Sequence, residues 1–319
     1  MPIKHSLMVG MMGKISDRFH EYQSAKDLRQ RLQLAKQVTN ADGIEIVYPS
    51  EFSNMPEAIK IIKDSGFALS AVNLNVKGEK RWQTGSFTSC DPEIRRQSVK
   101  EMKVAMDLAV EFGTDMVTCC PLIDGHNYAF EVDYLKQWGW LEEGIAEASK
   151  HRQDVRISLE YKLNESRNAN ILSDMGRALY LCERVNQPHV GVTMDVGHSL
   201  IAKETPAEAL SLASLANRLF YVHFNDNARE WDWDMMPGSV NVWDLVEVMF
   251  YLRRLNWNGW FSYDVIVRDG EMAEGMQASI EIVKIAEQLL DKICMDKLED
   301  MLQEGIPARA FSHLFRSLL

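Results

Sequence analysis

Four short stretches of this 319-residue chain end in the same way, and that repetition constrains the fold more than any other feature. In residues 155–162 (VRISLEYK), Val155, Ile157 and Leu159 alternate with Arg156, Ser158 and Glu160, a period of two that predicts a strand with two distinct faces. The apolar set is expected to face a layer of helices. The other set brings Glu160, and then Lys162, to the opposite side at the strand's C-terminal end. In residues 190–195 (VGVTMD), Val190, Val192 and Met194 face out while Gly191, Thr193 and Asp195 face in. In residues 219–225 (LFYVHFN), Phe220, Val222 and Phe224 face out while Tyr221 and His223 face in. In residues 260–264 (WFSYD), Phe261 and Tyr263 face out while Ser262 and Asp264 face in. Glu160, Asp195, His223 and Asp264 are separated by 35, 28 and 41 residues, in each case room for one strand, one helix and a return loop.

The first half of the chain continues the alternation. Strands are expected at 5–10, 43–48, 67–74 and 115–119, with helices at 25–39, 55–64, after Asp91 and through Leu135, Trp138 and Ile145. The third of these helices is clearly punctuated, with Asp91 as N-cap, Pro92 in the first turn and Gly113 as the stop. Later helices are expected at 171–185, at 207–216 with a Thr205/Glu208 capping box, at 242–255 and at 272–290. Eight strand–helix repeats without a change of composition predict an α/β fold, a single (β/α)8 TIM barrel spanning 1–290, with a C-terminal helical extension over 291–319. The apolar end of that extension (Phe311, Leu314, Phe315, Leu318) needs a covering surface. A neighbouring subunit is the first expectation, giving a homo-oligomer (dimer or tetramer), and the chain's own barrel is the alternative. The long loop 75–90, containing Trp82 and Phe87, is expected to form a lid or a pocket wall.

Composition removes several classes of function. A net charge of −11 without a basic run argues against nucleic acid and anionic membranes as partners. No apolar run reaches the roughly 18 residues of a membrane span, and the N-terminal residues lack a long apolar leader. Five scattered cysteines read as reduced thiols, which predicts a cytoplasmic protein.

In a barrel the C-terminal strand ends converge on one mouth, so Glu160, Asp195, His223 and Asp264 are expected to meet there. Three carboxylates brought together repel unless protonated or bound to a cation. Three oxygens and one imidazole suit Mn²⁺ first, with Mg²⁺, Co²⁺ or Zn²⁺ also accepted, so a divalent metal is the expected cofactor. Each residue alone could instead cap a loop or pair with a base; four in phase on consecutive strands favour the metal.

The motifs also resemble a family. SLEYKLNES looks like the Glu-x-Lys segment of D-xylose and L-rhamnose isomerases, and MDVGH like the Asp-x-x-His that follows it. HFNDN and DWD resemble the His-x-Asn-Asp and Asp-x-Asp of the rhamnose-isomerase branch. The chain is thus similar to the xylose-isomerase-like TIM-barrel superfamily of metal-dependent sugar isomerases and epimerases. The likeness is motif-specific from about residue 155 to 264. It implies that Glu160, Asp195, His223 and Asp264 hold one metal, that His198 with Asp232 and Asp234 holds a second, and that Lys162 supports the substrate's carbonyl oxygen. On the residues alone, His198 could be a loop residue bonded to backbone, Asp232 and Asp234 part of a solvated loop, and Lys162 a neutralising charge. Trp82, His126 and Trp231 are candidates to line the sugar pocket, or else fill loops and turns.

The expected activity is aldose–ketose isomerisation of an unphosphorylated sugar, with hydrogen moving between C1 and C2 and with Glu160, Lys162 and Asp264 as catalytic residues. No glycine-rich phosphate cradle follows the seventh or eighth strand. The ketose 3-epimerases usually carry Glu where this chain has Asp264, which tilts the reading to the isomerase. A 3-epimerase and an inosose-type dehydratase on the same metal site are the alternatives.

Overall fold

The computed structural model describes residues 3–318. Eight parallel strands, β1 (Lys4–Met8), β2 (Gly43–Tyr48), β3 (Ala68–Leu74), β4 (Met116–Cys119), β5 (Arg156–Glu160), β6 (Val190–Asp195), β7 (Leu219–His223) and β8 (Trp260–Tyr263), close into a barrel in sequential order, with β8 paired to β1. Helices α1 (Leu28–Ala35), α2 (Met55–Ser65), α3 (Pro92–Glu111), α4 (Tyr134–Ser149) and α5 (Met175–Val185) follow the first five strands. Two helices, α6 (Val196–Ile201) and α7 (Pro206–Leu215), follow β6, and α8 (Val242–Arg254) and α9 (Met272–Ile293) complete the ring. This is the (β/α)8 barrel expected from the alternation. The outward side chains Ile157, Leu159, Val192, Met194, Val222 and Phe261 are fully or almost fully buried under that ring, in one continuous core.

Local chemistry sets most boundaries. Asp27, Asp91, Asp133 and Asp174 cap α1, α3, α4 and α5 by accepting backbone N–H bonds, and Gly66, with φ of 79°, ends α2 in the left-handed conformation. The capping box expected at Thr205 is not formed. Pro206 opens α7, but the Thr205 side chain accepts no cap bond. Phe220 also departs from the expected outward orientation. The β6–β7 register shifts between Val192 and Thr193, so Phe220 is an extra residue in β7. It packs with Tyr221, Met116 and Ala71 against Gly191, where a Cβ would overlap its ring.

The loop after β3 contributes Asn75 and Lys77 to the wall of the cavity over the barrel mouth. Asp124, fully buried, accepts bonds from the backbone N–H groups of Ser86 (2.8 Å) and Thr88 (2.8 Å) and from the Thr88 hydroxyl (2.7 Å), which pins the loop to the β4–α4 connection. The C-terminal extension begins after Ile293 and forms α10 (Met295–Glu304) and α11 (Pro307–Ser317). It packs on its own barrel, with Trp243 of α8 against Phe311 and Phe315 and with His313 Nε2 2.6 Å from the Ile293 carbonyl. Phe311, Phe315 and Leu318 stay about half exposed. Among the described residues no helix is long and apolar enough to cross a membrane.

On β1, His5 is buried with Nδ1 2.8 Å from the Tyr263 hydroxyl. Burial, and then Lys284, depress its pKa to about 4. The unfolded chain therefore takes up a proton between about pH 6.5 and 4 that the folded chain refuses, so stability falls as pH drops through that window. Replacing His5 by Gln should remove up to about 3 kcal/mol of this pH dependence, read as the difference in urea-unfolding free energy between pH 7 and pH 4.5 for the two proteins.

Candidate active site and metal centre

The mouth of the barrel is built from side chains that strand periodicity turns inward. Glu160 is the last residue of β5, Asp195 the last of β6, His223 the last of β7, and Asp264 lies one residue beyond β8. Donor atoms of these four lie within 4.8 Å of one another, and all four residues are buried. His223 Nδ1 is 3.0 Å from Glu160 Oε1 and 3.8 Å from Asp195 Oδ2. Asp195 also begins α6, accepting the His198 backbone N–H at 2.7 Å, and Asn225 donates to its other oxygen at 3.0 Å. Gly197 permits this close packing: its N–H donates to the Asn225 side-chain oxygen at 2.8 Å, and a Cβ there would overlap that oxygen.

His198 is brought to the same cavity. Its Nδ1 lies 3.2 Å from Glu160 Oε1 without forming a directed bond, and its Nε2 is 3.2 Å from Asp232 Oδ2. Lys162, past the end of β5, sits 2.8 Å from Asp232 and 2.6 Å from Glu165. Asp234 is buried, with its Oδ1 at 3.5 Å from the Asn225 amide. His198 and Asp232 therefore meet, with Asp232 also paired to Lys162, while Asp234 lies beside Asn225. Among the described residues a second cluster of possible ligands is Cys120, Glu160 and His198.

Burial sets the electrostatics. It pushes Asp264 up to about 7, with Asp195 and Glu160 adding to the rise and His223 opposing it. It likewise raises Asp195 to about 6 and Asp234 well above the carboxylate range. Burial would raise Glu160 too, but His223 and His198 hold it well below its ordinary value. The two imidazoles are themselves raised well above normal against burial, His223 by Glu160 and Glu45 and His198 by Asp195 and Asp232. Asp264 Oδ1, Asp232 Oδ1 and His198 Nδ1 are buried without hydrogen-bond partners. Orphaned polar atoms beside mutually repelling carboxylates are what a divalent cation would satisfy, so the donor set fits a metal.

A cavity of about 390 Å³ opens over the cluster and is lined by Glu160, Lys162, His198, Asp232, Asp234 and Asp264 together with Asn73, Asn75 and Lys77. Trp82, His126 and Trp231 are not among the residues lining it. Trp82 is fully buried in the core beneath the Arg81 guanidinium, His126 packs 5.0 Å from the Tyr134 ring in a small three-stranded sheet, and Trp231 is half-buried beside Asp232.

Sequence reading passed over Glu45. It lies inward in the middle of β2, completely buried, with Oε2 3.0 Å from His223 Nε2. Its signal in GIEIVY is a carboxylate on the inward face of a strand whose neighbours are all apolar. Cys120, just after β4, is a buried free thiol with no distinguishing signal in the sequence.

A family model described as a xylose isomerase-like TIM barrel matches residues 32–286, and the chain belongs to this family. The xylose isomerase of Thermus thermophilus is 24% identical over 225 residues, covering 69% of this chain and 58% of the relative. The xylose isomerase of Thermus caldophilus matches with the same identity and coverage. The alignment thus spans less than two thirds of these relatives' length. Among solved structures, a D-tagatose 3-epimerase-like protein superposes with a TM-score of 0.72 at 17% identity, covering 91% of this chain and 99% of that one. The apo 3-keto-D-glucoside 4-epimerase of E. coli gives 0.67 at 16%, covering 89% and 99%. The D-allulose 3-epimerase of Methylomonas sp., solved with D-allulose, gives 0.67 at 15%, covering 91% and 97%. At these identities the likeness is one of fold.

The folded state takes up the Asp264 proton below about pH 7, and the unfolded chain only near pH 4, so an ionised Asp264 destabilises the metal-free fold increasingly as pH rises through that window. Asp264→Asn should therefore melt several degrees higher than wild type after EDTA treatment at pH 8. The gain should shrink toward pH 4.5. Added Mn²⁺ should raise the melting temperature of wild type but not of the variant, as read by scanning calorimetry.

Proposed function

We propose that the protein is a divalent-metal-dependent sugar isomerase that interconverts an unphosphorylated aldose and its ketose. The observation that carries this reading is the juxtaposition, over one polar cavity, of the Glu160–Asp195–His223–Asp264 donor set with the Lys162 ammonium. Mn²⁺ suits that set best, and a bound divalent ion would supply polarisation of the sugar's carbonyl oxygen. Similarity to xylose isomerases and the presence of Asp rather than Glu at position 264 support the isomerase.

The chain's own groups have separable tasks. Lys162, anchored by Asp232 and Glu165, is placed to donate a hydrogen bond to the carbonyl oxygen and to stabilise negative charge developing there. Asn73 and Asn75, on the cavity wall, can bind hydroxyl groups of an open-chain sugar. In the enediol route, Glu160 or Asp264 removes the C2 proton and returns one to C1, while a hydroxyl proton passes from O2 to O1. In the hydride route, hydride moves directly from C2 to C1 with the same transfer of a proton from O2 to O1.

A 3-epimerase is the second reading, favoured by one observation: Glu160 and Asp264 both line the cavity from different strands, so two carboxylates are available to one bound ketose. That reaction removes the C3 proton with one carboxylate and delivers a proton from the other. We expect a soluble cytoplasmic homo-oligomer, in which the half-exposed face of α11 is available to a second copy.

Proton NMR in D₂O, with Mn²⁺-loaded protein and a panel of unphosphorylated aldoses and ketoses, tests the reading. Interconversion of an aldose with its ketose, abolished by EDTA and lowered at least about 10³-fold in Glu160→Gln and Asp264→Ala, is the expected result. Deuterium at C1 or C2 identifies the enediol route. Inversion at C3 would replace the isomerase by the epimerase, and near wild-type turnover in either variant would remove the site assignment.

A further inference from the structure

The reading above leaves Glu45 without a task, although its position is costly. A carboxylate with no solvent exposure in the middle of a barrel strand sacrifices its hydration, and nothing in folding the barrel calls for it. Its contacts define what it does. Oε1 accepts from the Thr118 hydroxyl of β4 at 2.6 Å and from the Asn73 amide of β3 at 3.2 Å. Asn73 in turn donates to Thr118 at 3.0 Å, closing a three-membered polar cluster across β2, β3 and β4. That leaves Oε2 directed across the barrel at His223 Nε2, 3.0 Å away. Both ring nitrogens lie 3.0 Å from a carboxylate, Nε2 from Glu45 and Nδ1 from Glu160; were a cation to take the Nδ1 lone pair, Nε2 would keep the one hydrogen and donate it to Glu45. The opposite nitrogen, Nδ1, is then the one facing Glu160 and Asp195.

We propose that Glu45 is a positioning residue for the metal centre: held by Thr118 and Asn73, it locks the His223 ring with Nε2–H on its own carboxylate and presents Nδ1 to the four-donor cluster. This rests on the metal reading of that cluster. A carboxylate behind a ligating imidazole fixes ring orientation and makes the ligating nitrogen more basic, and losing such a partner typically weakens metal binding about 10–100-fold. The mouth of the barrel is thereby tied to its interior, since the orientation of a residue at the end of β7 is set from three strands on the far side.

The test uses the full chain stripped with EDTA. Mn²⁺ binding is titrated by calorimetry for wild type, Asp264→Ala and Glu45→Gln, a near-isosteric change that retains one acceptor, and circular dichroism confirms the fold of each. Histidine-selective ¹⁵N NMR on Zn²⁺-loaded wild type reads which nitrogen of His223 is protonated. Expected are tight binding by wild type, none detectable by Asp264→Ala, binding about 10–100-fold weaker by Glu45→Gln, and a His223 ring protonated at Nε2. Binding by Glu45→Gln within threefold of wild type, or ligation through Nε2, would overturn the proposal and leave the metal site standing. A wild type that binds no Mn²⁺, or an Asp264→Ala that binds as well as wild type, would overturn both.

Discussion

His223 lies between two carboxylates, 3.0 Å from Glu45 on one side and 3.0 Å from Glu160 on the other, and none of its surface reaches solvent. Much of the site follows from how that charge is held. The imidazole balances part of the negative charge that β2, β5, β6 and the end of β8 deliver to one place. It also links the barrel's interior to its mouth. Together with His198, it keeps the Glu160 carboxylate ionised. Asp264, which forms no directed bond through Oδ1, is instead driven up to about 7 by burial.

Such a mouth works against folding. Asp195, Asp234 and Asp264 are all raised by burial, and each would be more comfortable hydrated or neutral. The rest of the molecule supplies the compensation: a continuous apolar layer between strands and helices, α3 and α5 started by aspartate caps, and a loop fastened by Asp124. This division, a strained polar mouth on a well-packed barrel, is the usual relation between a functional site and its scaffold. It also explains why residues that look like pocket aromatics in the sequence need not be so. Trp82 is used by the scaffold.

The fold was largely legible. Alternation in residues 190–195 and 43–48 matches β6 and β2 residue for residue, because period two and burial on both faces of a barrel strand reinforce each other. Helix α9 runs three residues past the expected end at 290, to Ile293, since no breaker stands at Asp291. Phe220 was misoriented because a bulge shifts the register within a pattern that looks unbroken. The tail's covering surface was also undecided, as amphipathicity states that a face needs burying and not which neighbour buries it. The structure lays α11 against Trp243 of its own barrel.

In the site, the sequence by itself determined which residues reach the mouth: Glu160, Asp195, His223 and Asp264 are in phase at strand ends, and a closed parallel barrel has only one place for such ends to converge. What only the tertiary structure decided is which of the remaining polar groups talk to them. Asp232 belongs to Lys162 and His198, across loops whose course has no periodicity to read. Glu45 belongs to His223, 178 residues away in the chain. Strand phase is a local property and is written in the sequence; the pairing of side chains across the barrel depends on register, twist and closure, which exist only once all eight strands are in place.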